Sequence, residues 1–395
     1  MYDVAVVGAG PAGAAATFFL SNRGYKVLTI ERNPHPGTIC GEYVPDPSSL
    51  RIRSDLGSEY FEFVSPFIVH KLRSIRIELL GRTFRTPYVG YSIRRRDLLR
   101  ERLEQAEGEG ARVLLKESFI SLKREGSLYR ILTNRGMYTA RYIIGADGFP
   151  SRISSMMGED EIDCDDVSIA FPFEVDLNID DPDEVKLFFD EGVAPGAYAW
   201  IIPRGNSRAN VGLGVRMSMY NASEALRYVR EFLSRIGVSL NPRGDLRGRF
   251  VPVGGIVRTL ASDGIFLLGD SAGMVIPSNG GGIHTAVISA YLLSISLESD
   301  SPEREYVLSI NKHVKPLVDD GLTYRRAADA LMRLGILRRI VNLIPESIVA
   351  EAITGNRGSY HGILKLASYL YRSPPRRPFY PCTALRTRKF PHEQA

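Results

Sequence analysis

The chain has 395 residues, 44% apolar and 24% charged, with 50 basic against 45 acidic residues and a net charge of +5. This is the composition of a globular protein long enough for two domains, and it excludes a disordered or collagen-like chain. The three cysteines, Cys40, Cys164 and Cys382, are too few and too scattered for a disulfide scaffold or a zinc site, though a single disulfide could form. No apolar stretch reaches the roughly 18 residues that a bilayer span needs.

The first predicted strand begins at Asp3, which leaves no room ahead of it for a signal peptide, so a cytoplasmic location is expected. Residues 4–7 form a short apolar run and are followed by G-x-G-x-x-G at Gly8, Gly10 and Gly13. A helix of small residues comes next, opening on Pro11 and Ala12, and a second strand over 26–30 ends at Glu31-Arg32. Each part has a physical task. Gly8 permits the turn out of the strand. Gly10 lets a pyrophosphate approach the backbone, and Gly13 lets the helix pack closely on the sheet. The helix start offers unpaired N–H groups and the positive end of its dipole. Glu31 stands about 20 residues on, where an acid can accept hydrogen bonds from a ribose. An adenine dinucleotide site is expected here.

Cys40-Gly41-Glu42 lies in the loop after the second strand. Residues 91–98 (YSIRRRDL) read as a short strand entering a helix, whose arginines could reach cofactor oxygens. Asn134-Arg135-Gly136 is a predicted hairpin turn between strands 129–133 and 137–144. The second of these strands ends in Gly145-Ala146-Asp147-Gly148. Alternating strands are expected over 168–175, 185–189, 197–202 and 208–215, followed by a helix over 222–236. Tyr198, Trp200 and Ile202 would share one strand face, forming either a sheet core or the wall of an apolar tunnel. A strand over 265–268 delivers Gly269-Asp270, then Pro277, then Gly280-Gly281-Gly282 opening a helix from Ile283. The triple glycine would let backbone approach a flat ring, and Asp270 suits a ribityl hydroxyl. From about 303 the chain is mainly helical. Residues 331–344 have a broad apolar arc, read as a helix buried against the substrate sheet or as an interfacial helix admitting lipid. Between 372 and 389 lie six basic residues (Arg372, Arg376, Arg377, Arg386, Arg388, Lys389) and no acid, a solvated tail or a patch for anionic lipid. The chain lacks a nucleic-acid-binding motif, and nucleic acid is not an expected partner.

Taken together, these segments resemble the flavoprotein family of aromatic hydroxylases, flavin halogenases and geranylgeranyl reductases. The resemblance covers most of residues 1–300 and implies FAD rather than NAD. It makes Arg95, with Arg96 second, the match to the family arginine. It places Asp147, Gly148, Gly269, Asp270, Pro277 and the Gly280–Ile283 segment around the cofactor. In this family the serine of the G-A-D-G segment precedes its arginine by three residues; here Ser151 is followed at once by Arg152, which leaves that arginine's role open. The segment YAWIIP (198–203) is similar to the Y-x-W-x-F-P motif of the geranylgeranyl reductases, with Ile202 in the Phe position. Cys40-Gly41-Glu42 resembles their C-G-E segment near the flavin, with Tyr43 where Gly is common.

The implied fold is α/β: a Rossmann-type FAD-binding domain (1–166 and 250–300), an inserted antiparallel-sheet substrate domain (167–249) and a helical C-terminal region with a basic tail (301–395). The implied function is FAD-dependent reduction of isoprenoid double bonds in a geranylgeranyl-type chain on a phospholipid or diphosphate. An FAD monooxygenase of the aromatic hydroxylase type and a non-enzymatic flavin-bound lipid carrier are the alternatives. Cys40, Tyr198 and Trp200 are the expected catalytic set, with Cys40, Tyr198 or an ordered water as proton donor. NADPH or a ferredoxin-like protein would supply electrons, and peripheral contact with the inner membrane face would supply the lipid. No metal is expected.

Overall fold

In the computed structural model, residues 1–36, 40–159, 163–221, 224–238 and 248–371 are described. The basic tail of 372–389, Cys382 and the first residues of the helix expected from 222 lie outside them.

The chain opens with strand β1 (Tyr2–Val7), helix α1 (Pro11–Ser21) and strand β2 (Val27–Glu31). It continues through β3 (Tyr43–Pro45), α2 (Ser54–Val64), β4 (Ile68–Leu79), β5 (Arg82–Ile93) and α3 (Arg95–Gly108). Next come β6 (Arg112–Leu115), β7 (Phe119–Glu125), β8 (Leu128–Thr133), β9 (Met137–Gly145) and the short α4 (Arg152–Met156). The middle of the chain holds β10 (Val167–Asp176), β11 (Glu184–Phe189), β12 (Ala199–Pro203), β13 (Arg208–Arg216), α5 (Ala225–Arg235) and β14 (Arg249–Pro252). Strands β15 (Ala261–Ser262) and β16 (Ile265–Leu267) lead to α6 (Ile283–Ser296), α7 (Pro302–His313), α8 (Lys315–Arg333), α9 (Ile336–Ile340), α10 (Glu346–Thr354) and α11 (His361–Ser368).

Two eight-stranded sheets result. The first runs β15-β16-β9-β1-β2-β6, with the β7–β8 hairpin attached to β9. Its centre is parallel: β1 pairs with both β2 and β9, and β16 pairs with β9. Burial on both faces explains the unbroken apolar run of β1, where Val4, Ala5 and Val6 are inaccessible to solvent. The expected hairpin at Asn134–Gly136 is present, with β8 antiparallel to β9.

The second sheet runs β14-β10-β13-β12-β11-β4-β5-β3. The four strands expected between 168 and 215 are all here. The other four come from residues assigned above to the flavin domain, all of β3, β4 and β5 and all but the first residue of β14. These segments (43–45, 68–93 and 250–252) join the substrate sheet, and their assignment to the flavin domain is corrected accordingly. The physical reason is a long-range pairing, Ile75 with Val185 and Ile77 with Leu187, which is parallel within an otherwise antiparallel sheet. Helix α5 covers the outer face, where Tyr228, Val229 and Phe232 pack on Val211, Leu213 and Val215. The inner face carries Trp200, Ile202, Leu187 and Ile77, which form a cluster with Val341, Val349 and Ile353 of the C-terminal region.

The continuous helix read over 331–344 is also corrected. α8 ends at Arg333, and Gly335 adopts φ +68° before α9 begins. A glycine in this left-handed conformation ends a helix at little cost, and the N–H of Gly335 bonds the Met332 carbonyl. The segment then divides its apolar residues. Leu337 and Val341 are buried, whereas Leu334 and Leu343 are 56% and 80% exposed. Arg82 on β5 holds it from below, donating to the carbonyls of Val341 (2.7 Å) and Ile344 (2.9 Å).

Candidate active site

The first turn of the Rossmann motif is held by contacts that only glycine permits. Gly8 has φ +100°, and a Cβ there would lie 2.3 Å from the Ala146 carbonyl oxygen. A Cβ on Gly13 would lie 1.9 Å from the Gly8 oxygen, so α1 crosses directly against the turn. Gly10, by contrast, has nothing within 4 Å of an added Cβ. It caps the start of α1, with Pro11 following, and opens onto the central cavity. This cradle fits a pyrophosphate. Glu31 ends β2 with its carboxylate fixed: one oxygen accepts from Ala9 N (2.8 Å), the other from Asn33 N (2.8 Å) and Asn33 Nδ2 (2.7 Å). A carboxylate has about four acceptor positions, so one remains for a ribose hydroxyl.

The second cofactor segment meets the first directly. Gly269 has φ +56°, and a Cβ there would come within 2.8 Å of Ala12 Cβ. Asp270 follows, facing the cavity beside Arg95. Burial raises the Asp270 pKa, and the Arg95 charge opposes that rise. Arg95 is buried at the start of α3 and lines the cavity, while Arg96 is exposed, so Arg95 is the arginine that faces the site. A Cβ on Gly282 would lie 3.4 Å from an Asp270 oxygen, which places the start of α6 against this carboxylate.

Asp147 lines the cavity, and its carboxylate is engaged within its own loop. Its carboxylate accepts from Ser151 Oγ (2.6 Å) and from the backbone N–H of Arg152 (2.7 Å). It thereby caps α4, and Gly148, at φ +78°, carries the backbone past the cavity. Arg152 donates to the Phe119 carbonyl (2.8 Å), which ties this loop to β7.

Of the cofactor-binding and catalytic residues expected from the sequence, all but Gly13, Gly269 and the second-choice Arg96 line one cavity of about 1340 Å³. Gly13 and Gly269 act behind it by close packing. The volume exceeds the roughly 300–1,000 Å³ of an ordinary ligand pocket. The cavity continues from the dinucleotide end, past Cys40 and Gly41, to the inner face of the second sheet.

Tyr198, Trp200 and Ile202 do share that face and all line the cavity. The Trp200 ring lies over Gly212 on the neighbouring strand, where a Cβ would meet it at 2.4 Å. Trp200 Nε1 donates to Asn210 Oδ1 (2.9 Å), and Asn210 Nδ2 donates to the Cys40 carbonyl (2.8 Å). The C-G-E loop is therefore fastened to the tunnel wall through one buried asparagine. Arg204 adds a second fastening by donating to the Glu42 carboxylate and to Glu174 (2.9 Å). Within the loop, the Cys40 sulfur accepts the Glu42 N–H at 3.2 Å, and the cysteine is free and partly exposed. The Tyr198 hydroxyl donates to the Asn279 carbonyl, and burial pushes its pKa up to about 12. That proton is held by the protein.

Sequence reasoning missed Asn210, Arg204 and His284. Asn210 had a visible signal, a lone amide inside the apolar strand ANVGLGV. His284 follows Ile283 on α6 and lines the cavity, and burial drives its pKa down to about 4. Among the described residues no helix is long and apolar enough to cross a membrane, and no cluster of three or more His, Cys, Asp or Glu could hold a metal.

Comparison with known proteins agrees with this geometry. The family model described as geranylgeranyl reductase catalytic domain matches residues 166–243, and that of an NAD(P)-binding Rossmann-like domain matches residues 6–70. Digeranylgeranylglycerophospholipid reductase 1 of Methanopyrus kandleri is 33% identical over 301 residues, 73% of this chain and 78% of that one. Digeranylgeranylglycerophospholipid reductase 2 of Methanothermobacter thermautotrophicus is 30% identical over 351 residues, 84% of this chain and 88% of that one. Among solved structures, a geranylgeranyl bacteriochlorophyll reductase-like protein from Thermoplasma acidophilum has a TM-score of 0.75 at 24% identity, covering 93% of this chain and 99% of that one. The flavin-dependent brominase Bmp2 has a TM-score of 0.68 at 16% identity, covering 93% and 98%. These structural likenesses concern the fold. On the sequence identity of these relatives, the chain belongs to the geranylgeranyl reductase family.

Proposed function

We propose that this chain is an FAD-dependent reductase of the double bonds in geranylgeranyl chains carried by a glycerophospholipid. The observation that carries the reading is the single cavity that joins a dinucleotide cradle to an apolar, aromatic-walled sheet face. The relatives named for this reaction support it, and neither the monooxygenase nor the carrier alternative gains a comparable support.

The residues present fit FAD: the open Gly10 cradle, the spare acceptor of Glu31, and the Asp270–Arg95 pair beside the start of α6. When bound and reduced, FAD supplies the hydride. The chain's own residues orient the lipid and exclude water. Trp200, braced by Asn210 and seated on Gly212, gives the tunnel a rigid wall beside the C-G-E loop. An isolated alkene is a poor hydride acceptor, so a proton must reach the second carbon. Tyr198 is ill suited, because its hydroxyl proton is engaged by Asn279 and its pKa is raised. The Cys40 thiol, held in the loop by its contact with Glu42 N, is the proposed donor or the group that positions a water. NADPH or a ferredoxin-like protein delivers the electrons, and peripheral contact with the cytoplasmic membrane face delivers the lipid.

The test is single-turnover reduction under anaerobic conditions, with wild-type and Cys40→Ala proteins loaded with equal FAD. Saturation of the lipid without oxygen, slowed about 10²–10⁴-fold in Cys40→Ala, supports the reading. A requirement for oxygen would transfer the protein to the monooxygenases. Unchanged turnover in Cys40→Ala would remove the cysteine from the chemistry.

A further inference from the structure

We infer that the end of the cavity remote from the C-G-E loop is a subsite for the phosphate of an anionic prenyl lipid, with Arg216 and Arg325 as inner donors and Arg333 at the mouth. The inference deepens the reductase reading and rests on it for the prenyl part of the ligand.

Strand β13 sets the geometry. Side chains two apart share a strand face, so Asn210, Gly212, Gly214 and Arg216 lie along one side. Asn210 holds the Cys40 loop, Gly212 carries Trp200, and Gly214 and Arg216 line the cavity beyond. At about 3.3 Å per residue, Asn210 to Arg216 spans roughly 20 Å. That reach is commensurate with an extended geranylgeranyl chain. The floor between is made of small groups, with Ala170 paired to Gly214 and Ser168 to Arg216 on β10.

At Arg216 the lining changes from apolar to cationic. Arg249 on β14 pairs with Ala170, and α8 brings Arg325, Asp329 and Arg333, spaced four apart, to the same end. The guanidinium groups are held in place from behind. Arg216 donates to the carbonyls of Asp165 (2.9 Å) and Gly196 (2.9 Å) and to Asp329 (3.1 Å). Arg325 donates to the Asp165 carbonyl (2.6 Å) and to Asp166 (2.5 Å), and Arg333 to the Asp165 carboxylate (2.9 and 3.0 Å). Arg216 and Arg325 are 5% and 4% exposed, yet the Nε of each has no hydrogen-bond partner among the described residues. The Asp329 carboxylate lies 4.0 Å from Arg325 Nε, beyond hydrogen-bond reach. Three guanidinium groups thus converge on one cavity wall, two of them buried, and the guanidinium fork matches phosphate oxygens.

The charge and exposure agree. Arg216, Arg249, Arg325 and Arg333 line this end against the single carboxylate of Asp329, while Asp165 and Asp166 stand behind the wall. At the rim, Asp190 and Glu191 are paired outward with Arg235 and Arg338. Met219, at 44% exposed, and the exposed Ala328 mark the side open to water. A charged headgroup would stay at this mouth while its apolar chain runs inward along Gly214 to Trp200.

The test is isothermal titration of the full chain, loaded with FAD so that the pyrophosphate cradle is filled. The ligands are geranylgeraniol, geranylgeranyl monophosphate and digeranylgeranylglyceryl phosphate. Both phosphates are expected to bind at least about tenfold tighter than the alcohol, a preference that shrinks with salt. Whichever phosphate binds more tightly identifies a free prenyl phosphate or a lipid headgroup as the source. In Arg333→Gln the preference should fall about tenfold while the alcohol's affinity holds. Should that variant melt early, Arg333→Lys, which keeps the charge and loses the fork, is expected to reduce the preference in part. Equal binding of alcohol and phosphates by the wild type, or a preference that survives in both variants, overturns the subsite, as does an equal loss for all ligands. Phosphate preference without any double-bond reduction leaves the subsite standing and removes the reductase reading.

Discussion

Asn210 is the residue on which the site's geometry depends most, and Asn210→Ala is the sharpest perturbation of it. The asparagine is 1% exposed, accepts from Trp200 Nε1 at 2.9 Å and donates to the Cys40 carbonyl at 2.8 Å. Truncation leaves the buried Trp200 donor and the part-buried Cys40 acceptor without their partner, each costing up to about 1–3 kcal/mol. The expected loss of stability is thus up to about 2–6 kcal/mol, toward the lower figure if water enters the vacated space. Asn210→Asp keeps an acceptor for Trp200 and loses the donor to Cys40, so it should fall between wild type and alanine. The structural consequence is local. The C-G-E loop loses its tie to the tunnel wall, while the Gly8–Gly13 turn and Glu31 are untouched. Urea melts should show the stability change, FAD titration should stay within a few-fold of wild type, and single-turnover lipid reduction should slow by at least about tenfold. An alanine variant that melts and turns over like wild type would refute the claim that this amide positions the loop.

Three further outcomes follow from the same geometry. Glu31→Ala should weaken FAD binding by about 1.5–3 kcal/mol, the range for a charge-assisted hydrogen bond, and an unchanged affinity by fluorescence titration would contradict the ribose assignment. His284 is buried neutral, its pKa lowered from 6.5 to about 4 by loss of solvation. Its contribution is fully present above about pH 6.5 and lost as pH falls toward 4, because the unfolded chain takes up the proton first; at 1.36 kcal/mol per pH unit this amounts to at most about 3 kcal/mol. His284→Gln should flatten the stability slope between those pH values, and an unaltered slope in urea melts would assign it to other groups. Tyr198→Phe removes the donor to the part-buried Asn279 carbonyl and should cost up to about 1–3 kcal/mol of stability with turnover nearly intact; a hundredfold slower turnover at unchanged stability would make Tyr198 the acid after all.

Much of the fold could be read because its signals are local. The β1–α1–β2 unit declares itself through glycines whose steric need is absolute, as Gly13 against Gly8 illustrates. The alternation from 168 to 215 gave strands within about two residues of the observed ends. What was misread depended on distant partners or on a single conformation. Strands β4 and β5 look like any amphipathic pair, and only the pairing of Ile75 with Val185 assigns them to the second sheet. Gly335 lies within an apolar arc that fits a helix, and its φ of +68° appears only once α8 is seen to stop. Among site residues, Trp200 was legible from its motif. Asn210 was visible only as a lone amide in an apolar strand, and its task was not legible because its partner is a carbonyl 170 residues away. Asp147 carried a motif position yet spends its carboxylate on the cap of α4. The arginines at the far end of the cavity come from three separate segments and have no shared pattern in the chain.

The most direct test of the account is mass spectrometry of the lipid after anaerobic incubation of digeranylgeranylglyceryl phosphate with the dithionite-reduced, FAD-loaded protein. Products heavier by whole pairs of hydrogens are expected, formed as the flavin absorbance returns, and none with the oxidised protein. A lipid of unchanged mass beside a flavin that stays reduced, in a protein shown by titration to bind that lipid, would contradict it.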